Sequence, residues 1–95
     1  MYSTANIATT QAARIAKRLM KHWQHKFEVE SNEVVIVIHM PNARVELKPT
    51  DTYLDVRITA TAPSTDLVRL QGVVLDHLER MGQEPLSAEW QSYDA

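Results

Sequence analysis

His22 and His25 stand three residues apart, which sets two imidazoles on one turn of a helix. Neutral imidazole is the commonest protein ligand for zinc, nickel, copper or iron, so the pair could share an ion. His77 could supply a third ligand from a second helix, with His39 the remaining histidine of the chain. Helical geometry weighs against this reading. At 100° per residue His22 lies roughly 105° from the centre of its helix's apolar face, and His25 lies nearly opposite that face. These are positions of boundary and surface groups. The stretch also lacks the glutamate of an HExxH metalloprotease helix. A transition-metal or haem site on His22, His25 and His77 is therefore the second expectation, behind a solvent-facing role.

Arg14, Lys17, Arg18 and Lys21 project away from the same apolar face and form a continuous cationic surface. Residues 1–27 hold five Lys and Arg and no acid. Residues 28–95 hold five against all twelve acids, so the net charge of −2 splits into +5 and −7. A solvated face balanced by the rest of the domain explains this most simply. The functional reading is an anion-binding site for phosphate, another small anion or an acidic protein. Nucleic acid is disfavoured as a partner by a pI near 6.0 and by Trp23 being the one aromatic close enough to stack on a base.

Catalytic machinery is not visible. With no cysteine there is no thiolate nucleophile, disulfide, iron–sulfur cluster or cysteine-based zinc site. Gly72 and Gly82 are the two glycines, so neither a phosphate-cradling loop nor a glycine-rich oxyanion loop can be built. Asp76 and His77 are helix neighbours that point in different directions, and Asp76 with Arg80 is most simply an i,i+4 surface pair. Trp23 and Trp90 could line a pocket, but Trp23 keeps helical spacing with Leu19 and Met20 and reads as core.

The elements that must position these residues follow from the periodicity. Ninety-five residues make one domain, residues 1–95, without repeat or linker. The N-terminus carries no basic, apolar leader, and the longest aliphatic run, Val34 to Ile38, is far short of the ~20 residues of a membrane helix. A cytoplasmic location without membrane contact is expected. Ile7 to Thr9 allows a short leading strand. Thr9 or Thr10 then caps a helix to about Trp23 with Ala12, Ala16, Leu19, Met20 and Trp23 on its apolar face.

The period next changes to two. Phe27 and Val29 alternate with charged neighbours, and Ser31-Asn32 reads as a turn. Val34 to Met40 is apolar at nearly every position, as in a central strand covered on both faces or a strand at an interface. After Pro41-Asn42, Ala43, Val45 and Leu47 point inward. After Pro49-Thr50-Asp51, Leu54, Val56 and Ile58 do the same. Ser64 is the expected N-cap of a second helix, Gly82 its left-handed C-terminal residue, and Leu86 to Trp90 a short closing strand. Leu67, Leu70, Val74, Leu78 and Met81 form this helix's core stripe. Val68, Gly72 and Leu75 make a second apolar flank, to be covered by the C-terminal segment or by a second copy of the chain. The fold class is α+β, in the order α-β-β-β-β-α. It has a mainly antiparallel sheet with two helices on one face, with room for an extra strand at each end.

Three segments taken together resemble a known family. They are Lys21-His22-Trp23-Gln24-His25-Lys26-Phe27, Val74-Leu75-Asp76-His77-Leu78-Glu79-Arg80, and Leu86 to Trp90. In this order and at this length the chain resembles the bacterial domain of unknown function 2218, over nearly its whole extent. The lysine–histidine–tryptophan stretch is the most specific part. Gly82-Gln83 departs from the aromatic residue expected after the second helix. The resemblance implies an α+β fold and no established activity. It also implies an iron-related context, because similar domains occur alone or attached to flavin-dependent siderophore-interacting proteins. The expected function is a non-catalytic accessory or binding domain for a small anion or a protein, with the metal- or haem-binding module as alternative.

Overall fold

The computed structural model describes residues 1–94. Eight elements follow in the order β1 (Tyr2–Ala8), α1 (Ala12–Trp23), β2 (Glu28–Ser31), β3 (Ile36–Met40), β4 (Ala43–Pro49), β5 (Tyr53–Ala60), α2 (Leu67–Gly82) and β6 (Gln91–Tyr93). The strands form one sheet in the order β2-β3-β4-β5-β1-β6, antiparallel at every pair. Short turns join β2 through β5 as neighbours. The N-terminal strand closes onto β5 across the full length of its seven residues. This is the α+β architecture expected, with both extra strands present.

Period-two alternation decides which sheet face is buried. Ala5, Ile7, Ile36, Ile38, Ala43, Val45, Leu47, Leu54, Val56 and Ile58 lie in one core with Ala12, Ile15, Ala16, Leu19 and Trp23 of α1 and Leu67, Val74 and Leu78 of α2. Both helices therefore cover the same face. The opposite face is polar. Register sets Glu46 opposite Arg57 and Lys48 opposite Asp55. The close contacts differ from that pairing: Arg44 Nε donates to Glu46 at 3.2 Å, and the Arg57 guanidinium sits 4.1 Å from the Tyr2 ring centroid. Tyr2 stacks in turn on Tyr93 at 4.8 Å, which ties β6 to the sheet.

Several boundaries differ from the sequence reading, each for a local reason. The leading strand starts at Tyr2 rather than Ile7, because pairing with β5 supplies backbone partners to polar residues that no apolar pattern marks. Neither Thr9 nor Thr10 caps α1. Gln11 holds that position without a side-chain bond, while the Thr9 hydroxyl accepts from the Gln11 amide and donates to Glu84 at 2.7 Å. Asp66, not Ser64, caps α2, accepting from the Arg69 amide at 3.1 Å.

The run from Val34 is not a strand covered on both faces. The Asn32 carboxamide oxygen accepts from the amides of Val34 and Val35, so the run begins in a turn. Ile36 and Ile38 alone of its residues are buried. Leu86 to Trp90 alternates as expected, with Leu86, Ala88 and Trp90 packed against the core, yet the ladder forms later, at Gln91–Tyr93. Among the described residues no helix is long and apolar enough to cross a membrane.

Gly82 is the last helical residue of α2, and the left-handed position belongs to Gln83, at φ 53° and ψ 39°. The glycine is needed for another reason: a Cβ there would stand 2.8 Å from Ile15 Cδ1. Gly72, by contrast, faces open space, and Val68 beside it is 76% exposed. Among the described residues no segment of the same chain covers Val68 and Gly72, while Leu75 packs against the core.

Candidate functional site

The end of α1, the β3–β4 turn and the start of α2 converge on the helical side of the sheet. After Trp23 the chain tightens, with the amides of Lys26 and Phe27 both donating to the Trp23 carbonyl at 2.9 and 2.8 Å. This turn sets the Phe27 ring edge-on to Trp23 at 5.9 Å. The β3–β4 turn is tied to the segment preceding α2 through one acceptor. The Asn42 carbonyl takes the Thr61 amide at 2.9 Å and the Thr65 hydroxyl at 2.5 Å.

Between these anchored segments lies an open cleft of about 410 Å³. Phe27, Met40, Leu70 and Val73 form its apolar walls, and Asn42, Asp66 and Arg69 lie among its polar residues. The Asp66 carboxylate is engaged as the α2 cap. Arg69 is exposed and makes no ion pair among the described residues. Lys26 stands over the Phe27 ring, its Nζ 5.5 Å from the centroid.

The histidines are only partly gathered. His77 sits between His22, at 5.7 Å between ring centroids, and Trp23, at 5.0 Å. Its Nδ1 lies 2.7 Å from the Val73 carbonyl, an atom that can only accept, so Nδ1 is the donor of that bond. His25 is exposed and away from this stack, while His39 pairs with Glu30 on the β2–β3 edge at 2.9 Å. No group of three or more His, Asp or Glu able to hold an ion is present among the described residues. Of the expected set His22, His25 and His77, the structure brings together the rings of His22 and His77 and leaves His25 apart from them. His25 lies two residues beyond Trp23, the last helical residue of α1, and is exposed.

Of the four cations expected to act together, Arg14, Lys17 and Lys21 are exposed. Arg18 is diverted: its Nη1 donates to the Met81 carbonyl at 2.9 Å and so closes the C-terminus of α2. Arg14 also reaches back to Gln11 Oε1, at 3.4 Å.

The sequence model of the bacterial family of uncharacterised proteins known as domain of unknown function 2218 matches residues 4–91. The chain belongs to this family. Its fold is shared by PA4090 from Pseudomonas aeruginosa, solved by NMR, at 34% identity and a TM-score of 0.80 over 99% of this chain and 98% of that one. No curated protein matches the chain. Within the matched region, the segment Lys21–Phe27 places Phe27 in the cleft wall and His22 and Trp23 beside His77.

Residue reasoning did not mark the cleft, because its walls come from three segments far apart in the chain. Phe27 and Leu70 read as ordinary apolar positions of a strand and a helix, and Met40 as the end of a strand. A partial signal was available: an arginine one helical turn after an Asp N-cap, beside Leu70 and Val73, marks a polar-to-apolar border at a helix start.

Proposed function

We propose that this chain is a non-catalytic binding domain of the cytoplasm that takes a small organic molecule in the cleft between the start of α2 and the β3–β4 turn. One observation carries the reading. A concavity of about 410 Å³ falls within the roughly 300–1,000 Å³ of small-molecule sites, and it pairs an apolar lining with a few fixed polar groups as such sites do. Its rim is held by backbone-directed hydrogen bonds rather than left to mobile side chains. The family resemblance adds an iron- or siderophore-related context, in which the molecule bound is a siderophore fragment or its breakdown product. The exposed Arg14, Lys17 and Lys21 then serve to dock an acidic protein beside the domain.

At 10.8 kDa the chain suits methyl and amide NMR. Titration with a panel of aromatic and short aliphatic molecules, 2,3-dihydroxybenzoate among them, should produce saturable shifts at Phe27, Met40, Leu70 and Val73. These should disappear in a folded Val73→Phe variant that fills the cleft. Shifts that never saturate, or that spread evenly over the surface, would remove this reading.

A further inference from the structure

We infer that the cleft selects an organic carboxylate, with its apolar body between Phe27, Met40, Leu70 and Val73 and its carboxylate on Arg69; the inference rests on the cleft being a binding site. Charge at the mouth supports it. Arg69 lines the cleft, is exposed, and has no carboxylate in ion-pair range among the described residues. Lys26 lies over Phe27 at 5.5 Å and is likewise without an acidic partner there, so a second cation flanks the apolar wall.

Asp66 is the opposing charge. Its carboxylate accepts the Arg69 amide at 3.1 Å and caps a sixteen-residue helix, where the N-terminal dipole offsets a negative charge. Of the residues lining the cleft Arg69 is the one cation and Asp66 the one acid, and the Asp66 carboxylate is engaged by the first turn of α2, which leaves the Arg69 guanidinium for a ligand. A planar guanidinium offers two parallel N–H donors that match a carboxylate, and apolar walls beside it favour an aromatic or short aliphatic body. Inorganic phosphate or sulfate would meet the same guanidinium but has no apolar body to fill the walls.

The test compares phenylacetate with its neutral isostere phenylacetamide on the full chain, read by NMR shifts at Phe27, Leu70 and Val73. The acid should bind about tenfold tighter than the amide, the scale of a charge-assisted hydrogen bond. The preference should fall with added sodium chloride, vanish in Arg69→Gln and survive in part in Arg69→Lys. Arg69 caps nothing through its side chain, so both variants should keep the parent's spectrum elsewhere. Equal binding of acid and amide, or a preference unchanged in Arg69→Gln, overturns the carboxylate assignment and leaves the cleft as a neutral-ligand site. If neither compound gives saturable shifts, the cleft itself is not a binding site and both readings fall.

Discussion

A Cβ placed on Gly82 would lie 2.8 Å from Cδ1 and 3.1 Å from Cγ1 of Ile15, so α1 and α2 meet at a point where only a hydrogen fits. Ile15 is fully buried and cannot swing into solvent to make room. The Arg18 bond to the Met81 carbonyl and the Glu84 contacts to Thr9 and Gln11 close the same junction from either side.

Gly82→Ala should therefore destabilise the fold. Overpacking of this kind costs about 1–3 kcal/mol, and the better helix propensity of alanine recovers up to about 1 kcal/mol. The expected net is a loss of about 1 kcal/mol, or roughly 4–8 °C in Tm for a domain of this size. Ile15→Val removes the offending Cδ1, so the double variant should lose less than the two single losses added. A melting temperature that rises in Gly82→Ala would contradict the contact.

Gly72→Ala should act in the opposite direction. This glycine is in the middle of α2, exposed, and a Cβ there meets nothing within 4 Å. Replacing it gains about 0.5–1 kcal/mol from helix propensity and a less flexible unfolded chain. Urea denaturation should show a higher midpoint with an unchanged slope. No gain would mean that this flank of α2 is covered in solution, as a contact between two copies would do.

On α1, Lys17 and Lys21 are exposed while Arg18 is committed to α2. Reversing Lys17 and Lys21 to Glu should leave the unfolding midpoint within about 0.5 kcal/mol of the parent and abolish retention on a phosphate or heparin resin. Arg18→Met should do the reverse, losing about 1 kcal/mol of stability through the unsatisfied Met81 carbonyl while keeping most of the retention. A Lys17/Lys21 reversal retained as well as the parent excludes an anion site on this face.

Truncation after Gln83 removes Glu84, the half-buried Leu86, Ala88 and Trp90, and β6. Burial of a single large apolar side chain contributes roughly 1.5–3 kcal/mol, so the shortened chain should be severely destabilised. Light scattering with denaturation of both forms checks this. A truncated form as stable as the full chain would show that the segment covers nothing of consequence.

Much of this was readable from residues alone. Inward residues of β4 and β5, and the apolar stripes of both helices, follow from a period of two or 3.6, because burial on one side imposes that period directly on residue type. The family could be recognised from the lysine–histidine–tryptophan stretch and two later segments. What lay beyond reach were contacts between segments distant in the chain. Gly82 looked like a helix terminator, but its position is decided by Ile15, sixty-seven residues earlier. Arg18 looked like a free cation, but the last turn of α2 claims it. His25 counted with His22 on spacing alone, until the end of α1 and the angle of α2 left only His22 beside His77. The cleft exists because Phe27, Met40 and Leu70 stand around a space none of them fills. Local periodicity records which side of an element is dry. Which groups meet there depends on the distance and angle between elements, and those are set by packing of the whole core.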